Sequence, residues 1–182
     1  MALRASPSHT LTVNAPEAPI LRPYQREAVD AVLAARRRGV RRMLVCLPTG
    51  AGKTVVFAQL ARLAKRPVIV LAHREELLAQ ARDKLVRALG AAVSVAIEQG
   101  PRRAEPDARV AVCSIRSLRP ERLARLIAGR APGLVIYDEC HHAAAGDNRR
   151  VLTALGCFDT DWEGTLVGFT ATTSRGDGQG LD

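Results

Sequence analysis

Apolar residues along this chain come in two textures. One is the short unbroken run. Residues 67–72 (PVIVLA), 109–114 (RVAVCS), 133–137 (GLVIY) and 166–169 (LVGF) are of this kind, each bounded by turn-forming or polar residues. Such runs predict strands buried on both faces, and residues 93–97 predict another. The second texture is helical spacing. Val29, Val32 and Leu33 share one face, and Pro23 fits a first turn, so a helix is predicted over 23–37. Leu77, Leu78, Ala81, Leu85, Val86 and Leu89 give a second helix over 75–89. Further helices are expected at 53–65, 120–128 and 148–155, and a polar loop at 100–107.

Strands that alternate with helices need right-handed crossovers. The expected fold is therefore α/β, a mostly parallel sheet with helices on both faces in three layers. No internal repeat is visible. Residues 1–19 carry several Pro and Ser without periodicity and read as a mobile leader. One domain is expected over 20–175. The Gly- and Asp-rich residues 176–182 read as an unstructured tail.

The richest stretch is 43–57, MLVCLPTGAGKTVVF. It predicts a buried strand, a glycine loop and a helix start. Gly50 and Gly52 allow a tight turn that aims backbone N–H groups inward around Thr49, Ala51 and the start of the helix. The helix adds its positive end. Lys53 supplies a charge for β- and γ-phosphates, and the Thr54 hydroxyl suits Mg²⁺. The strict phosphate-loop pattern has a glycine where this chain has Leu47, but T-G-x-G-K-T is intact.

A second cluster closes the run Leu134 to Tyr137. Asp138 would hold Mg²⁺ through its water shell, and Glu139 would accept the proton of an attacking water. Capping of a following helix is the plainer reading of adjacent acids, and the phosphate loop upstream argues against it. A metal site of Cys140, His141 and His142 is disfavoured because contiguous ligands rarely reach one metal. The polar clusters at 50–54, 73–74, 114–117, 138–139 and 170–172 all follow strands, and ligands of parallel sheets bind beyond the strands' carboxyl ends.

Composition adds two constraints. The chain is 47 % hydrophobic but only 3 % aromatic, so the core must be aliphatic. Its net charge of +9, mostly arginine, favours polyanionic partners, although a composition bias explains it equally. The run Arg36, Arg37, Arg38, Arg41 and Arg42 reads as a solvated helix end before a binding patch. Four cysteines without metal spacing suggest a reduced, cytoplasmic protein, with Cys46 and Cys113 as buried small residues. No stretch is long and apolar enough to cross a membrane.

LRPYQ (21–25), PTGAGKT (48–54), HREEL (73–77), SIRSL (114–118), DECH (138–141) and TAT (170–172) occur in that order. As a series they resemble the first RecA-like lobe of superfamily-2 DEAD/DEAH-box helicases and translocases, a P-loop NTPase domain. The likeness covers about 20–175. It implies an ATP–Mg²⁺ site and ATP hydrolysis, with Gln25 reading the adenine edge and Arg22 and Tyr24 nearby. It implies that Arg74, Ser114 and Ser117 touch a nucleic-acid backbone, DNA before RNA. His141, Thr170 and Thr172 would couple nucleotide state to grip on the strand. The family commonly reads T-A-T-P where this chain has Thr173. A second RecA-like lobe, which would carry the arginine finger, is expected beyond Asp182, so the isolated lobe should turn ATP over poorly. The alternatives are a docking module without turnover, and a different P-loop enzyme such as a nucleotide kinase. Gln25 and the DECH box speak against the latter.

Overall fold

The computed structural model describes residues 20–73, 75–90, 92–128, 131–140 and 146–171. The expected leader and tail lie outside the described residues. Helix α1 runs Pro23–Arg37, with proline in its first turn, where a missing N–H does no harm. Strand β1 (Arg42–Cys46) leads through the glycine loop into α2 (Lys53–Leu63). Strand β2 (Val68–Ala72) precedes α3 (Glu75–Leu89), and β3 (Val95–Glu98) precedes β4 (Val110–Ser114). A 3-10 turn at Ile115–Ser117 leads to α4 (Pro120–Ile127). Strand β5 (Leu134–Asp138), α5 (Gly146–Ala154) and β6 (Thr165–Thr170) complete the order. Helix α2 stops at Leu63 and not at 65, because Ala64 is already extended on the way to Pro67.

The six strands form one parallel sheet in the order β1-β6-β5-β2-β4-β3. Alternation along each strand feeds two separate cores. Val68 and Val70 of β2, with Val110, Val112, Ile136 and Phe169, pack against α1, α2 and α3 through Val29, Phe57, Leu78 and Leu85. Ile69 and Leu71, with Ala111, Cys113, Val135 and Tyr137, pack against α4 and α5 through Leu123, Val151 and Leu152. Helices therefore cover both faces, the three-layer arrangement expected of unbroken apolar strands. With so few aromatics, the one ring pair among the described residues carries weight. Phe57 of α2 and Phe169 of β6 meet edge to face with centroids 4.5 Å apart.

One expectation fails. The strand before the glycine loop is not buried. In the described sheet β1 is an edge strand that pairs with β6, and its burial alternates along its length. Met43 and Val45 pack on the first core, while Leu44 is 46 % exposed. Cys46, expected inside, is exposed, whereas Cys113 is fully buried as expected. Helices α4 and α5 bury the second face through β2, β4 and β5, and β1 lies two strands from β5, at the rim of that cover.

Because Phe169 joins β6 to α2 through the aliphatic core, Phe169→Ala should lower stability by about 3–5 kcal/mol. Urea unfolding followed by circular dichroism measures this. A loss like that of an ordinary surface substitution would contradict the packing.

Candidate active site

The parallel sheet delivers the carboxyl ends of β1, β5 and β6 side by side, since β6 lies between the other two. The loop leaving β1 is shaped by two glycines in the left-handed region, Gly50 with φ +81° and Gly52 with φ +79°. That conformation costs other residues about 1–2 kcal/mol. Ala51 N donates to Pro48 O at 3.1 Å, and Val55 N donates to Gly52 O at 2.8 Å as α2 begins. Thr49 lies exposed on the loop, and Thr54 is half-buried in the helix's first turn.

Lys53 leaves the first position of α2 and reaches the end of β5. Its Nζ is 2.8 Å from Glu139 Oε1 and 3.8 Å from Asp138 Oδ1. The lysine side chain is 13 % exposed, so this is a partly desolvated triad and not a surface ion pair. Asp138 also accepts a hydrogen bond from Glu139 N at 3.1 Å. Glu139 itself has φ +55°, which is rare for a residue with a Cβ. Strain of this kind gathers where a side chain has to be aimed. The structure thus brings together the lysine and both acids that the sequence singled out.

Thr170 ends β6 fully buried, and its carbonyl accepts the N–H of Leu47 at 2.9 Å. A backbone bond therefore links the entrance of the glycine loop to the end of β6. Arg74, His141 and Thr172 lie outside the described residues.

Two residues given ligand roles by the sequence are engaged or enclosed within the fold. Gln25 is 4 % exposed. Its Oε1 accepts from Arg22 N at 3.0 Å, and its Nε2 donates to Ala51 O at 2.8 Å. Tyr24 OH donates to the same carbonyl at 3.1 Å, and Arg22 Nη1 donates to Tyr24 OH at 3.1 Å. These residues pin the glycine loop to the start of α1. Ser114 is likewise fully buried at the end of β4, paired with Ala72, so its hydroxyl cannot touch a nucleic-acid backbone at the surface. The sequence showed a serine after an apolar run, but not that the run would carry it inside. Ser117, half-buried in the next turn, accepts the N–H of Gly100 at 3.0 Å.

Cys140 is buried in the turn that follows β5. Burial pushes its thiol up from an ordinary value near 9 to about 12, so it stays protonated at neutral pH. Its Sγ packs over Gly168, where an added Cβ would come within 2.9 Å.

Residues 19–175 match the protein family described as "Type III restriction enzyme, res subunit". The chain belongs to this family. The ResIII chain is 38 % identical over 167 residues to a Schizosaccharomyces pombe protein provisionally named as the mitochondrial ATP-dependent helicase irc3. It is 32 % identical over 175 residues to a Saccharomyces cerevisiae protein provisionally named as the ATP-dependent helicase IRC3. These alignments take in 88 % and 90 % of the chain but only 27 % and 25 % of the two relatives. Among solved structures it resembles the UvsW helicase of bacteriophage T4, with a TM-score of 0.64 at 22 % identity, over 88 % of this chain and 55 % of that one. The ResIII domain is an N-terminal RecA-like lobe of superfamily-2 helicase type, as the ordered motifs led one to expect.

The Gln25 contact gives a paired test. A Cβ on Gly52 would sit 2.6 Å from Gln25 Nε2, whereas a Cβ on Gly50 meets open space. Both positions have positive φ, so Gly50→Ala should cost about 1–2 kcal/mol. Gly52→Ala should cost measurably more, because it also drives Gln25 from Ala51. Equal losses in urea unfolding would dismiss the Gln25 tie.

Proposed function

We propose that this chain is the ATP–Mg²⁺-binding lobe of an ATP-dependent DNA helicase or translocase. The observation that carries the reading is the meeting of Lys53 with Asp138 and Glu139 from a different strand, 2.8 Å at its closest. A phosphate loop alone is compatible with passive binding. A loop lysine facing a carboxylate pair has the parts for hydrolysis.

The roles follow from chemistry. The N–H groups of Gly50, Ala51, Gly52 and Lys53, with Thr49 at the loop's shoulder, would cradle the phosphates at the positive end of α2. Lys53 would exchange its carboxylate partner for phosphoryl oxygens. Glu139, released by that exchange, would take the proton of the attacking water on its carboxylate. Thr54 and Asp138 offer hard oxygen donors, which fits magnesium. That ion takes one or two carboxylates plus substrate phosphates in place of an all-protein cage. When bound it supplies charge neutralisation to the phosphates. Arg22, Tyr24 and Gln25 would hold the loop in register. Thr170, through its bond to Leu47, together with His141 and Thr172 would pass loop movement toward the bound strand.

DNA as the partner is supported by the net charge of +9 and by the name of a 28 % identical relative, a transcription and DNA repair helicase/translocase subunit of Schizosaccharomyces pombe. Arg74 and Ser117 would contact its backbone. A second RecA-like lobe would complete the hydrolytic site, so turnover by these 182 residues alone should be slow. Four free cysteines are compatible with a reducing, cytoplasmic setting. Among the described residues no helix is long and apolar enough to cross a membrane.

Calorimetric titration with ATP–Mg²⁺ should show binding by the wild-type chain. Lys53→Ala should abolish it. Glu139→Gln should retain it while stopping phosphate release in a two-lobed parent. Unchanged affinity in Lys53→Ala would overturn the reading.

A further inference from the structure

The amino ends of the strands form an edge that the proposed ATP site does not use. There, a groove of about 690 Å³ opens between the last turns of α1 and α2 and the starts of β5 and β6. Its inner lining is aliphatic. Val32, Leu60 and Leu134 are buried in it, and Leu63, which ends α2, is 43 % exposed beside them. A leucine left open next to a concave apolar lining says more than one standing singly on a surface.

The rim is cationic. Arg36, Arg37, Arg41, Lys65 and Arg66 line the groove, and Glu163 is the one carboxylate among its described lining residues. Three of these cations are held from that one residue. Arg36 Nη2 and Arg41 Nη1 both donate to the Glu163 carbonyl, at 2.9 and 3.1 Å. Arg66 Nη1 lies 3.5 Å from Glu163 Oε2, and its Nη2 donates to Ala131 O at 3.2 Å. A carbonyl oxygen orients a guanidinium but does not cancel its charge. Two guanidinium groups on one carbonyl are like charges held side by side, an arrangement that an incoming anion relieves. Arg37 and Lys65, both exposed, extend the positive rim. A basic helix end that only complements its dipole needs no fixed partner on another segment, and Arg36 has one.

We propose that this groove docks an acidic, leucine-bearing peptide segment of a partner protein. The leucines bury against Val32, Leu60 and Leu63, and the carboxylates meet the arginines, as an amphipathic segment lies in a groove. Charge complementarity selects the acid, because five cations face one carboxylate. The lining selects against a nucleic-acid strand, since none of its described residues is aromatic and a base would have no ring to stack on. The groove is remote from the phosphate loop. Lys53 opens α2 and Leu63 closes it, so roughly 15 Å of helix separates them. A partner seated here leaves the nucleotide edge open, and the proposal does not depend on the ATP reading.

The test is fluorescence anisotropy at physiological salt with a labelled synthetic peptide that carries leucines at i, i+3, i+4 and i+7 and glutamates elsewhere. The wild-type chain should bind it, and the same peptide with serine for leucine should bind about tenfold more weakly. Arg37→Glu/Lys65→Glu should weaken binding of the leucine peptide about tenfold, and Leu63→Ser about threefold. Arg116→Glu/Arg149→Glu makes the same change in net charge at exposed positions on the 3-10 turn after β4 and on α5. It should stay within about twofold of the wild type, because distant charges are screened. All the substituted side chains are exposed, and circular-dichroism melts check that each variant keeps its fold. Equal binding of the serine peptide, or equal losses in the two charge-reversed variants, overturns the proposal, since net charge alone would then explain the binding. Absence of binding by the wild type overturns it too. Sedimentation in which the wild type dimerises and Leu63→Ser does not would give the groove to a second copy of the chain. An oligonucleotide whose binding falls in Arg37→Glu/Lys65→Glu while the peptide's does not would give it to nucleic acid. Either result overturns the peptide assignment and leaves the ATP reading untouched.

Discussion

Lys53 and Glu139 come from segments far apart in sequence, and a parallel sheet is what lets them meet. Each strand of such a sheet ends at the same edge, so whatever follows a strand is delivered to one surface. Here β6 is placed between β1 and β5, and the lysine that follows β1 and its loop reaches the acids at the end of β5. The two cores make that arrangement rigid. Odd and even positions of β2, β4 and β5 are both buried, so a slip of one residue would exchange the contents of the two cores. The strain at Glu139 is tolerated because the strand before it is fixed on both faces.

Much of this was legible in the residues. The helix 75–89 and the strands around 68–72 and 134–138 follow from apolar spacing, and the observed bounds differ by a residue or two. The convergence of Lys53, Asp138 and Glu139 was foreseeable because all follow strands whose mutual direction the helices dictate. What pattern could not supply was position across the sheet. The apolar run of β1 looks like that of β2, yet one is an edge and the other is interior, and only strand order decides which. Cys46 and Ser114 were misjudged for that same reason: burial of a strand's end depends on its neighbours.

Gln25 and Glu98 illustrate a different gap. The sequence offered a glutamine after Pro-Tyr, and a ligand role was a reasonable assignment. In the structure its amide is engaged at both ends by Arg22 and Ala51. Glu98 went unremarked because one acid at the end of the run VAIE carries no motif. Its signal was the pair Arg122 and Arg125, spaced by one helical turn in an otherwise amphipathic helix, and only the fold shows that they face the same carboxylate. Arginine content inflated by composition can hide such committed cations among solvated ones.

The exposed sulfur at the end of β1 has a practical side. Cys113, Cys140 and Cys157 are buried, and burial keeps the thiols of Cys140 and Cys157 up at about 12. Cys46 alone among the four faces solvent, one residue before Leu47 and its bond to the end of β6. The chain thus holds a native attachment point for a maleimide dye at the mouth of the phosphate loop. A fluorophore placed there would report on movement of that loop with no cysteine engineered in or taken out.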